Sequence, residues 1–290
     1  MSEENIEITE TIRTLDVVPS PEDSRDWIAE QLLTATTIPS TLDLRSYSRP
    51  VRDQGSQGSC AAMAGSAMKE VQENRDCGLT EYLSPQFIYN SRENKPNEGM
   101  YMRDLMRILK DLGDCKETTY PYGTTSAISS TARTEAAKYK IQGYASITSI
   151  IGLKQALVTN GPAVIAVPVY NYGTSQNNYR IWVQGTNERF LGGHAMAVVG
   201  YTTTGFIIRN SWGSSWGNSG YVEFPYSDWG KQWECWTTID IKTGPDKPIA
   251  PKKKTNPITV ISRIIRRFLR PIKGNRKVAR DTSIPPVEQY

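Results

Sequence analysis

Gln54-Gly55-Ser56-Gln57-Gly58-Ser59-Cys60, running on into Ala61-Ala62-Met63-Ala64, is the stretch on which the reading of this chain turns. Its two glycines permit a tight loop. The Ala-rich run that follows, with Met63, Met68 and Val71 at core-like spacing, predicts a helix from Cys60 to about Asn74. Cys60 then opens the first helical turn, where the helix dipole and free N–H groups favour a thiolate. The Cys60 N–H and the Gln54 side-chain amide can both point at one developing oxyanion.

A thiolate nucleophile needs a base, and the base needs an orienting group. The chain has one histidine, His194, in Gly192-Gly193-His194-Ala195-Met196-Ala197-Val198-Val199-Gly200-Tyr201, at the mouth of an apolar strand. Asn210 follows in Ile207-Ile208-Arg209-Asn210-Ser211-Trp212-Gly213. An Asn amide oxygen there can accept from one ring N–H, with Trp212 shielding that bond. The bland readings are a core histidine and a turn-capping Asn. The glycine-rich approach to Cys60 and the spacing of the three residues weigh against both.

Further elements fall in two blocks. Ser84 to Arg92 and Arg103 to Leu112 read as helices, the second stopped at Gly113. Val164 to Tyr170, Ala195 to Tyr201, Phe206 to Asn210 and Tyr221 to Phe224 read as strands. Helices first and strands second describe an α+β protein with two lobes. The sequence shows no internal repeat.

These motifs resemble the papain/cathepsin family of cysteine proteases, in which His and Asn follow the Cys by some 130–150 residues. Leu42-Asp43-Leu44-Arg45, Thr119-Tyr120-Pro121-Tyr122 and Asn210-Ser211-Trp212-Gly213-Ser214-Ser215-Trp216-Gly217-Asn218-Ser219-Gly220-Tyr221 extend the likeness over residues 38–240. The resemblance implies a helical left lobe, a barrel-like antiparallel right lobe and an active site between them. It also implies hydrolysis through an acyl-thioester on Cys60, with His194 as base, Asn210 as its orienter and Gln54 as oxyanion donor. Gly99, Met100, Ala166, Ala195 and Trp212 fall where the family contacts substrate. Neither a metal nor a cofactor is implied. The single histidine excludes a histidine-pair occluding loop, which favours an endopeptidase.

The departures are specific. Ala61 stands where the family usually has an aromatic residue, and Gln57 where it has a disulfide cysteine. The Gln-Gly-Ser-x-Gly-Ser-Cys form looks more like microbial and viral relatives. The expected rivals are a catalytically silent papain-fold binding or virion module, and an acyl transferase that uses the same residues.

Outside this block the charge is uneven. Residues 245–290 hold twelve Lys/Arg against three Asp/Glu, leaving 22 basic and 27 acidic residues in 1–244. Beyond a Pro/Lys linker, Ile258, Ile261, Ile264, Ile265 and Phe268 line one face of an expected basic amphipathic helix. Its expected partners are the body of the protein, an anionic membrane, an acidic protein or nucleic acid. Residues 1–37 hold nine carboxylates and two arginines, and a short helix capped by Ser20 is expected from Pro21. This leader is either a solvated segment or a short prosegment lying across Cys60. Cys77, Cys115 and Cys235 read as small buried hydrophobes, with at most one bridge among them. Few cysteines, no apolar run of 18 residues and no signal-like start point to a cytoplasmic or particle-enclosed location.

Overall fold

Helix α2 (Cys60–Cys77) is buried along most of its length, from Cys60 to Glu73, so it forms the centre of a lobe. Small side chains make this possible. A Cβ at Gly65 would collide with Leu105 of α4 (Met102–Asp111). The helix runs three residues past the expected Asn74 and ends at Gly78, whose φ of 74° suits a residue without Cβ; its N–H returns to Asn74 O at 2.9 Å. Polar groups buried on α2 are paired: Lys69 with Glu73 at 2.7 Å, Glu70 with Arg52 at 2.6 Å and Ser66 with Asp114 at 2.7 Å. Helices α3 (Pro85–Asn90) and α5 (Ser130–Ala136) complete this lobe.

The computed structural model describes residues 13–33, 37–173 and 178–240; the basic tail and its expected helix lie outside them. The second lobe is a sheet ordered β4-β9-β5-β6-β7-β8, comprising β4 (Ile141–Ser146), β5 (Ala163–Val169), β6 (Gly192–Tyr201), β7 (Gly205–Arg209), β8 (Tyr221–Pro225) and β9 (Glu234–Asp240). Strand β2 (Leu42–Asp43) also pairs with β6. The pairings are antiparallel, but β4 and β8 do not meet among the described residues. The barrel-like antiparallel lobe that the resemblance implies is thus present as an open sheet. At the β4 edge, Ile28 of the leader bridges Ser146, so an upstream segment covers part of the edge that closure would have removed.

Four strands lie within a few residues of their expected bounds. Strands β4 and β9 and helices α5 and α6 (Ile150–Thr159) were not anticipated. β4 reads Ile-Gln-Gly-Tyr-Ala-Ser, without a clean two-residue alternation, and its place is set by pairing with β9.

Two local expectations fail. No helix starts at Pro21; the leader's helical turn is α1 (Ala29–Leu32). Ser20 instead accepts from Arg103 N at 3.1 Å, capping α4 from outside, while its own N–H and hydroxyl donate to Glu234 at 3.0 and 3.2 Å. Cys77 is exposed, whereas Cys115 and Cys235 are buried as expected; all four cysteines are free thiols.

Candidate active site

Residues 52–54 run antiparallel to 211–213 and thereby join the helical lobe to the end of β7. Gln54 N donates to Ser211 O at 2.9 Å, Gly213 N donates to Arg52 O at 3.1 Å, and Asp53 bridges Trp212. The Arg52 guanidinium anchors this segment on Glu70, Glu117 and Leu83 O. Tyr122 holds the loop from another side. Its hydroxyl donates to Gln54 O at 2.8 Å and lies 2.6 Å from Ser59 Oγ, linking both ends of the stretch that leads to Cys60.

The imidazole sits in a fully buried setting on β6, where His194 is opposite Val167. His194 Nε2 lies 2.7 Å from Asn210 Oδ1. Ser211 N also donates to Oδ1 at 2.7 Å, which fixes this atom as the amide oxygen. An oxygen only accepts, so Nε2 carries the proton and Nδ1 of the neutral ring keeps a basic lone pair. Nδ1 is buried with no hydrogen-bond partner. The Trp212 ring lies against the imidazole, centroids 4.6 Å apart, and is itself buried. Ser211 also acts through its side chain. Its hydroxyl donates to Gln54 Oε1 at 2.7 Å, so the Gln54 NH2 is turned the other way.

Cys60 is fully buried, and N–H groups of Ala61, Ala195 and Asp16 face its sulfur. Burial pushes its thiol up to about 11 against those donors, while the Asp16 carboxylate adds to the rise. Burial also pushes His194 down to about 4; the Asn210 bond opposes this and the Arg13 charge reinforces it. In this covered state both groups are held neutral.

What covers them is the leader. Strand β1 (Val17–Val18) pairs parallel with β3 (Met100–Tyr101), and Asp16 bridges Gly193. A Cβ at Gly99, where φ is 70°, would collide with Asp16 O; one at Gly193 would collide with Val17 O. Val17 is buried in a cluster with Cys60, Met100, Ala166, Ala195 and Trp236. The sequence-predicted Met100, Ala166 and Ala195 thus gather around Val17, and Gly99 lies against Asp16. Thr14 Oγ1 donates to Ser56 O, and Gln54 Nε2 donates to Gln57 O at 3.1 Å and to Thr14 O at 3.5 Å. Arg13 pairs with Asp53 and stacks 5.5 Å from the Trp212 centroid.

Cys60, His194, Asn210, Gln54 and Trp212 therefore meet in one place. Sequence reasoning missed Ser211 and Tyr122, although both stand inside the quoted blocks. It anticipated a leader across Cys60 from Asp16 to Trp27, but not the separate contacts of Asp16 and Val17, nor Arg13, which lies just before that stretch.

The family model for papain family cysteine proteases matches residues 38–240. Gamete and mating-type specific protein A of Dictyostelium discoideum is 31% identical over 195 residues, covering 65% of this chain and 43% of the relative. Cathepsin K of Mus musculus is 30% identical over 194 residues, covering 64% of this chain and 59% of the relative. The chain thus spans about half the length of these curated relatives. Among solved structures, xylellain, a cysteine protease from Xylella fastidiosa, superposes with a TM-score of 0.66 at 29% identity, covering 79% of this chain and 98% of that one.

Proposed function

The chain belongs to the papain family of cysteine proteases, and on that premise we propose that it is a cysteine endopeptidase held inactive by its own leader. The observation that carries the reading is the 2.7 Å bond from His194 to Asn210, which commits Nε2 and leaves Nδ1 as a free base, on the residue before the Ala195 N–H that faces the Cys60 sulfur.

The reaction follows from these atoms. Nδ1 takes the Cys60 proton, and the thiolate attacks the carbonyl carbon of a peptide bond. The resulting oxyanion accepts from Cys60 N–H and Gln54 Nε2, the latter aimed by Ser211. The C–N bond breaks as Nδ1–H protonates the leaving amine, and an acyl-thioester stays on Cys60. Nδ1 then activates water, the thioester is hydrolysed, and the carboxylic acid and free thiol are regenerated. Gly99, Met100, Ala166 and Ala195 form the acyl-side surface, where Val17 now sits.

The leader blocks each part of this sequence. Asp16 N–H faces the sulfur, Thr14 O accepts from Gln54, and Val17 fills the acyl-side pocket. We assign residues up to 37 the role of a short prosegment.

Peptidase assays on the full chain and on a chain starting at Ile38, each with its Cys60→Ala counterpart, test both statements. The expected result is Cys60-dependent hydrolysis that is faster without the leader. Equal rates with and without the leader refute the prosegment role, and no hydrolysis from either chain refutes the enzyme. Added amine nucleophiles separate hydrolysis from acyl transfer by their products.

A further inference from the structure

Asp53 presents a carboxylate that the body of the protein leaves without a cation. Its Oδ1 accepts from Gly55 N at 2.8 Å and its backbone is paired with Trp212, so the group is fixed before anything binds it. The neighbouring Arg52 is turned away onto Glu70, Glu117 and Leu83 O. Gly213 offers no side chain toward it: a Cβ there would lie 3.4 Å from Asp53 Oδ2. Among the described residues the cation that pairs with Asp53 is Arg13 of the leader.

The Arg13 contacts read as a recognition site. Nη1 donates to Asp53 Oδ1, Nη2 donates to Oδ2 at 3.0 Å and to Trp212 O at 3.4 Å, and the guanidinium carbon lies 5.5 Å from the Trp212 ring centroid. A forked planar cation meets a carboxylate and an aromatic surface together, a combination suited to arginine. The Arg13 side chain is 13% exposed, whereas that of Asp53 keeps 47% and is open to solvent on one side.

Along the leader, Asp16 N–H marks the position of Cys60, with Val17 on the Met100–Ala166 side and Arg13 on the Trp212 side. If the pocket around Val17 receives the acyl side of a substrate, Asp53 and Trp212 receive its leaving-group side.

We propose that Asp53 and Trp212 form a subsite for a basic side chain, arginine above all, on the leaving-group side of the scissile bond, and that Arg13 occupies this subsite until the leader departs. The proposal rests on the hydrolase reading and adds a substrate class to it: peptides with arginine just beyond the cleaved bond.

The test uses the full chain and two peptidyl epoxides that alkylate Cys60. They are identical except for arginine or norleucine on the leaving-group side. The arginine probe is expected to react about 10-fold faster, since the charged bidentate contact is partly exposed. In Asp53→Asn, whose amide oxygen can still accept from Gly55 N, the ratio is expected to fall to about one. The ratio within each protein cancels any general loss of reactivity. Equal rates in the unaltered chain, or a ratio unchanged in Asp53→Asn, overturn the subsite while leaving the hydrolase reading intact. Failure of both probes to modify Cys60, even with the leader removed, overturns the hydrolase reading and the subsite with it.

Discussion

The carboxyl groups of Asp16 and Glu98 converge beside Gly58, where Glu98 disfavours charge on Asp16. A Cβ at Gly58 would collide with Asp16 Oδ2 and lie 3.2 Å from Glu98 Oε2, and Asp16 Oδ2 is buried without a donor. Around them stand Cys60 and Tyr89. The nearby guanidinium groups are committed elsewhere, Arg13 to Asp53 and Arg92 to the Tyr89 and Asn97 carbonyls. Burial and the neighbouring Glu98 raise the Asp16 carboxyl above its ordinary value.

That pair sets a pH dependence for the leader. A group whose docked pKa is raised contributes fully below its free value, near ~3.9, and the contribution is lost as pH rises through the docked value. Moving the Cys60 proton to His194 on opening leaves the count of bound protons unchanged, so those two residues add no slope. Hydrogen-exchange protection of residues 16–20, read in Cys60→Ser to prevent processing, is expected to fall as pH rises from 4.5 to 7.5. In Asp16→Asn the fall is expected to vanish. A flat profile in the unaltered leader contradicts the account.

Cys77 is exposed and Cys60 fully buried. Iodoacetamide at pH 8 is therefore expected to modify Cys77 first in the full chain, slowly, because burial and Glu73 push its thiol up to about 11. Removing the leader is expected to reverse the order. Peptide mapping by mass spectrometry reads both sites in one sample.

Val17 is the leader's apolar anchor. Val17→Ala removes two buried methyl groups, about 1.6 kcal/mol at the usual burial coefficient, or a little over 10-fold in docking. Cys60 alkylation in the full chain is expected to quicken by that factor. No change in rate would mean that the pocket around Met100 and Ala166 does not hold the leader.

Much of the site was legible because its chemistry is local. A glycine-flanked Cys60 at a helix start, a single histidine and an Asn closing a strand are features of short stretches, and their spacing ties them together. The two-lobed α+β fold was legible for the same reason. What stayed hidden depends on pairing across the chain. Strand β4 has no clean alternation and exists through β9, while Ser20 caps a helix 83 residues downstream, which no local pattern signals. The open sheet was hidden too, since closure depends on whether two distant edges meet.

Ser211 exposes another limit. Its place beside Asn210 was visible, but its hold on Gln54 across the lobes was not. Ser211→Ala is expected to lower kcat about 10-fold with little change in KM, since it releases a donor used only as the oxyanion forms. Gln54→Ala is expected to cost about 100-fold, and the double variant little more than Gln54→Ala alone. Additive losses would mean that Ser211 acts elsewhere.

Every role assigned above depends on Cys60 being the nucleophile of a peptide-bond hydrolase. The most direct measurement of this is titration of the leader-released protein with a peptidyl vinyl sulfone, reading peptide hydrolysis and the modified residue together. The account expects one adduct per chain, located on Cys60, with activity lost in proportion to its formation and no activity in Cys60→Ala. Hydrolysis that persists with Cys60 fully modified, or in Cys60→Ala, would contradict it.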